Sequence, residues 1–190
     1  MNRKALLFIV AVLASVTLSA RANLVVDPTN LVTNGGFESG TFSGWTQWGD
    51  TSFTGIETVN VHSGTYAAFF GPTSSDGGIN QTLSTLAATP YTLDFWLQNR
   101  DTSGNNRFSV SFGGTTLLSL TNAPAFSYTH YTFTTTPGAN ALLQFSFYNP
   151  PVYWDLDDVS VNAVPEPGTL GLIALGALGL VGAVRKRLSV

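Results

Sequence analysis

Between Tyr91 and Gln98 the chain alternates without a break. Tyr91, Leu93, Phe95 and Leu97 fall on one side, and Thr92, Asp94, Trp96 and Gln98 on the other. This is the two-residue period of a strand buried on one face. A polar loop, Asn99 to Asn106, leads to a second such segment, in which Phe108, Val110 and Phe112 alternate with Arg107, Ser109 and Ser111. Gly113-Gly114 then reads as a tight hairpin into a strand over Thr115 to Leu120. Further strands are predicted at Tyr128 to Thr134, Leu142 to Tyr148 and Trp154 to Val161, and earlier at Leu31-Val32, Ile56 to Val61, Thr65 to Phe70 and Ile79 to Leu83. Gly40 to Asp50, with Trp45 and Trp48, reads as a loop, Trp45 anchoring it in the core and Trp48 standing at the rim. No helical stripe interrupts the stretch from Asn23 to Val164. Roughly eight to ten short strands with turns between them predict an all-β fold, a jelly-roll β-sandwich.

Both ends break this pattern. Arg3 and Lys4, the apolar run Ala5 to Leu18 and the small residues of Ala20-Arg21-Ala22 have the three parts of a secretory signal, so residues 1–22 are expected to be a signal peptide. At the other end Val164-Pro165-Glu166-Pro167-Gly168 precedes an uncharged run, Leu170 to Val184, and then Arg185-Lys186-Arg187. As a helix that run is about 22 Å long, short of a bilayer core of about 30 Å. Gly168 and Thr169 lengthen it to a transmembrane helix over about 168–184, and the basic tail at 185–187 snorkels to the headgroups. The basic cluster stays cytoplasmic by the positive-inside rule, so everything upstream lies across the membrane. Pro165 and Pro167 leave Glu166 in an extended peptide suited to a membrane-embedded protease. The division is therefore 1–22 signal, 23–163 β-sandwich and 164–190 sorting segment.

Composition changes once those ends are set aside. Asn23 to Val164 holds two basic residues, Arg100 and Arg107, against ten acidic ones, a net charge of −8. An acidic body without a basic stripe excludes nucleic acid as a partner. There is no cysteine, so an exported body gains nothing from disulfides. Twelve of the thirteen Phe, all four Trp and all six Tyr lie in it, stock enough for a core.

The tail, from Val164 through the Gly-rich apolar segment to Arg185, Lys186 and Arg187, resembles the PEP-CTERM sorting signal of Gram-negative bacteria, also named for the C-terminal domain of ice-binding proteins. The resemblance implies processing near Pro165 to Pro167 by an exosortase-type transpeptidase. It also implies a transient membrane anchor and an association with exopolysaccharide at the cell surface or in the matrix. Asn30 to Glu38 with Gly44-Trp45, His62 to Ala68, Tyr91 to Trp96 and Trp154 to Val161 together resemble the galactose-binding-like jelly rolls of carbohydrate-binding modules.

Two sites follow from that fold. Its first and last strands meet, which would bring Glu38 to Asp157 or Asp158, with carbonyls of Ser63-Gly64 nearby. These hard oxygen donors suit Ca²⁺, and the related modules commonly hold a structural calcium here. Alternation sets Asp157 with Val159 and Val161 on the buried side, which favours Asp157 over Asp158. The second site is a sheet face opposite the core, from which Trp96, Gln98, Arg107, Gln144 and Tyr148 project, with Tyr128 and His130 beside them. Aromatic planes stack on pyranose C–H faces while amides and guanidinium bond the hydroxyls. The plain alternative is that Trp96 packs beneath a neighbouring loop.

Catalysis has little support. The chain lacks Gly-x-Ser-x-Gly, His-Glu-x-x-His and cysteine, and only His62 and His130 offer imidazoles in it. Two functions remain, a non-catalytic glycan-binding module and a passive structural or adhesive matrix domain. Ice binding, suggested by Thr132, Thr134, Thr135 and Thr136, ranks below both.

Overall fold

Ten strands form where the alternation is strongest and the turns are richest in Gly, Asn and Pro. In the computed structural model, which describes residues 30–150 and 152–165, they are β1 Thr46–Gly49, β2 Thr54–Glu57, β3 Ala67–Phe70, β4 Gly77–Thr82, β5 Tyr91–Asn99, β6 Arg107–Phe112, β7 Thr115–Thr121, β8 Phe126–Thr135, β9 Leu142–Tyr148 and β10 Trp154–Ala163. The signal peptide expected at 1–22, the helix at 168–184, and Glu166, Pro167, Arg185, Lys186 and Arg187 lie outside the described residues. Among the described residues no helix is long and apolar enough to cross a membrane. The unit holding the strands runs from Pro28 to Val164.

Two antiparallel five-stranded sheets result, ordered β1-β4-β9-β6-β7 and β2-β3-β10-β5-β8. Their inner faces meet in an aromatic core. Phe70 of one sheet stacks on Phe147 of the other with centroids 3.9 Å apart, and Phe95 packs edge-on to Phe145 at 5.4 Å. Both pairs are buried, each such side chain contributing about 1.5–3 kcal/mol by leaving water. This is the all-β jelly-roll sandwich that the alternation predicts.

Three local expectations change. Leu31-Val32 is irregular rather than strand, with Val32 in a bend, and is tied to β10 by the Leu31 N–H donating to the Val161 carbonyl at 2.9 Å. The loop expected over Gly40 to Asp50 contains β1, so Trp48 is a strand residue. The strand expected over Ile56 to Val61 lies earlier, as β2, and residues from Thr58 onward form a loop instead.

Candidate functional site

Register decides which side chains share a face, because residues directly opposite one another on paired strands project to the same side. On the outside of the first sheet one row runs Thr46, Asn80, Gln144, Ser111, Thr116, and a second runs Trp48, Gly78, Ser146, Ser109, Ser119. Tyr148, Arg107 and Thr121 make a third. Their strand neighbours Ile79, Leu143, Phe145, Phe147, Phe108 and Val110 are buried in the core.

Trp48 is a half-buried aromatic of this face. Its indole N–H donates to the carbonyl of Phe145 at 3.3 Å, and Phe145 belongs to β9, two strands away. The side chain therefore reaches across β4, whose Gly78 is the partner of Trp48, towards β9. A half-buried indole on the face that also carries Asn80, Gln144, Ser146 and Ser109 sets an apolar ring among amides and hydroxyls. Tyr148 is less open, because the Arg107 guanidinium sits 3.9 Å above its ring while bonding Asp76 at 2.6 Å.

Trp96 and Gln98 belong to the other sheet. The five residues expected on one face are thus split between opposite sides of the sandwich: Arg107, Gln144 and Tyr148 on the first sheet, Trp96 and Gln98 on the second. Alternation reports the side of a strand on which a residue stands, not the sheet to which the strand belongs. Trp96 is also covered. His62, from the loop after β2, stacks on it at 3.8 Å, His130 lies 5.0 Å away on β8, and Tyr128 ties the loop down by donating to the Asn60 carbonyl at 3.0 Å. Desolvation, followed by the charge of Asp155, raises the Tyr128 phenol above its usual range.

Beneath the same loop lies an acidic floor. Asp155 pairs with Gln98 and Asp157 with Trp96, so both carboxyl groups project outward, yet both are fully buried. The alternation that would set Asp157 with Val159 and Val161 is broken by a bulge between Asp157 and Ser160, with Asp158 in the left-handed region at φ 50°. Asp157 accepts from the backbone N–H groups of His62 (3.0 Å), Ser63 (3.1 Å) and Asp158 (2.8 Å). Burial nonetheless pushes it up to about 6. Asp158 bonds His62 Nδ1 at 2.7 Å and the Ser63 hydroxyl at 2.9 Å. Glu38 accepts from the N–H groups of Thr65 (2.9 Å) and Tyr66 (3.1 Å).

Glu38, Asp157 and Asp158 surround Gly36, whose missing side chain leaves the space between them. Ligand atoms within reach of one ion, however, come from His62, Asp157 and Asp158, all within 4.8 Å of one another. Glu38 is turned to the loop amides, and His62 stands in the place expected of it. Sequence reasoning missed His62 here because only the covering loop brings it to Asp158.

One further group shares this face. Arg100 donates to Asp155 at 2.7 Å and to Glu57 at 3.2 Å. One guanidinium neutralises only one of two carboxylates. Burial, outweighing Arg100 and joined by the negative Glu57, pushes Asp155 up to about 8.

A model described as a carbohydrate binding domain matches residues 29–152, and a PEP-CTERM protein-sorting motif matches residues 163–187. No curated protein matches the sequence. Among solved structures, a family 61 carbohydrate-binding module in complex with β-1,4-galactotriose is 20% identical, with a TM-score of 0.59 over 72% of this chain and 99% of that one. The family 22 module and catalytic domain of a Clostridium thermocellum xylanase, complexed with xylohexaose, is 16% identical, with a TM-score of 0.56 over 70% of this chain and 29% of that one. A family 22 xylan-binding domain is 10% identical, with a TM-score of 0.54 over 73% and 98%. At these identities the structures establish the jelly-roll fold. The domain model spans more than half of the chain, which therefore belongs to the carbohydrate binding domain family and ends in a PEP-CTERM sorting motif.

Proposed function

We propose that this is an exported, non-catalytic glycan-binding protein that docks a polysaccharide across the outside of the β1-β4-β9-β6-β7 sheet. The half-buried Trp48 indole carries the reading, since it joins an aromatic ring to a field of Asn, Gln and Ser side chains on one face. Arg107 on the sheet is paired with Asp76 just before β4, so the face favours a neutral chain. Family membership and the sorting motif support the same function. The motif indicates export and surface sorting in Gram-negative bacteria. Processing near Pro165 to Pro167 by an exosortase-type transpeptidase, after a transient stay at the membrane, would deliver the body into exopolysaccharide.

Affinity electrophoresis in gels containing xylan, galactan or β-glucan tests the face. Retardation is expected for the wild type and for Trp96→Ala, and loss of about 2 kcal/mol, roughly thirtyfold in Kd, for Trp48→Ala. Equal retardation of Trp48→Ala and wild type would remove the face from the account. No retardation in any gel would leave a passive matrix protein. Thr135 pairs with the buried Tyr91 whereas Thr132 and Thr134 face outward, so the threonines of β8 form no flat array for ice.

Calcium belongs to the same proposal. The carboxyl oxygens of Asp157 and Asp158 fit a hard cation beside Gly36, although Glu38 is engaged elsewhere. When bound there, the ion would supply positive charge to buried carboxyl groups and hold the loop onto β10. Adding calcium to chelated protein at about one hundred times its Kd is expected to add about 2.7 kcal/mol of stability, an increase in Tm of roughly 5–10 °C. Asp157→Asn should abolish the increase; an unchanged Tm in the wild type would exclude the ion.

A further inference from the structure

A cleft of about 210 Å³ opens where the loops after β1, β3 and β9 meet, lined by Phe53, Gly71, Thr73, Val152 and Tyr153. Phe53 is unusual twice over. The residue is 61% exposed, and its backbone sits at φ 52°, where a bulky residue is an outlier. Such conformations persist when their surroundings impose them, and they gather at functional sites.

The surroundings here are explicit. Asp50 accepts from the N–H and hydroxyl of Ser52 on its own loop, and from the N–H groups of Thr73 and Ser74 and the Ser74 hydroxyl on the next. The Ser52 hydroxyl, then Ser74, hold its carboxyl well below the usual range, so the clamp stays charged. The Gly71 N–H donates to the Phe53 carbonyl at 2.9 Å. Gly71 also has no Cβ, which would strike the Tyr153 ring. That ring is braced by Phe69 at 5.2 Å and by Arg100 at 4.8 Å. The outcome is two aromatic rings and the Thr73 hydroxyl held at the rim of one small recess.

We propose that this cleft is a second carbohydrate subsite, which takes the terminal pyranose of a neutral glycan between Phe53 and Tyr153. The proposal rests on the glycan-binding reading above. Its volume falls below the roughly 300 Å³ at which drug-sized pockets begin, which suits one sugar ring rather than a chain. The exposed Phe53 ring offers a stacking plane, and the Thr73 and Tyr153 hydroxyls offer bonds to the sugar. The loops start at the ends of β1 and β3, and the second leads into β4, so the recess adjoins the strands that carry Trp48 and Asn80.

The methyl glycosides of galactose, glucose, xylose and mannose are the probes, titrated into the full chain in a polyoxyethylene detergent that carries no sugar. Amide shifts in ¹⁵N spectra are the readout. At least one glycoside is expected to give saturable shifts at Phe53, Gly71, Thr73 and Tyr153. These should persist in Trp48→Ala and weaken about tenfold or more in Phe53→Gly. Glycine accepts the left-handed conformation, so that variant should keep or raise the wild-type Tm. No saturable shift at these amides with any probe would overturn the proposal, as would shifts unchanged in Phe53→Gly or lost equally in Trp48→Ala. Polysaccharide retention with no shift at the cleft would defeat this subsite alone; cleft shifts without retention would defeat the sheet face alone.

Discussion

Replacing Arg100 with alanine is expected to destabilise the domain by about 2–3 kcal/mol, measured by urea unfolding at pH 7. The guanidinium is the sole cation bonded to Asp155 and Glu57 among the described residues. It holds a fully buried carboxyl group at 2.7 Å and a half-buried one at 3.2 Å, and it lies over the Tyr153 ring. Removing it leaves the half-buried Glu57 carboxylate without its cation and takes the hydrogen-bond donor from the buried Asp155 carboxyl group, which is largely protonated at pH 7. Arg100→Ala combined with Asp155→Asn should recover part of the loss, because the amide can donate to the Glu57 carboxylate left behind. A single variant within about 1 kcal/mol of wild type would show that the buried group is not held by Arg100.

Asp155 also gives the domain an inverted response to alkali. Its ordinary pKa is 3.8 and burial raises it to about 8, so the folded state binds the proton more tightly than the unfolded state. The resulting stabilisation is complete below 3.8 and is lost as pH rises through about 8. Asp157, raised to about 6, acts in the same direction over a narrower window. Asp50 and Asp101 are lowered and act oppositely, withdrawing stability in acid. In chelator, Tm should peak near pH 4–5 and fall by on the order of 10 °C towards pH 9. Asp155→Asn should flatten the fall above pH 6 and leave a smaller decline from Asp157. A wild-type Tm that climbs from pH 5 to pH 9 would contradict the placement of Asp155.

The long strands were legible because each buries one face. Tyr91–Asn99, Arg107–Phe112 and Leu142–Tyr148 alternate as the sequence does. The short β1 was not, since Thr-Gln-Trp-Gly offers no alternation and its one large side chain points away from the core. Sheet membership was illegible for a different reason. β9 pairs between β4 and β6, whereas β5 lies in the opposite sheet, and nothing in the local period of Trp96 or Tyr148 records that separation. At Asp157 the period itself misled, because the bulge that follows it inserts one residue into β10, so that Asp157 and Val159 face opposite sides. The approach of Glu38, Asp157 and Asp158 to Gly36 follows from the meeting of the chain's first loop with its last strand, where the Val159 N–H donates to the Gly35 carbonyl at 3.0 Å. That His62 rather than Glu38 completes the cluster depends on how the covering loop folds, which is a matter of long-range contact.

Side-chain footprinting with hydroxyl radicals, with and without the polysaccharide fragment that retards the protein most, tests the sheet-face site most directly. Bound glycan should shield Trp48 and Tyr148 from oxidation while Trp96, already beneath His62, is unchanged. Protection confined to Trp96, Tyr128 and His130, with Trp48 oxidised as fast as in the free protein, would place the glycan on the other sheet and contradict the account.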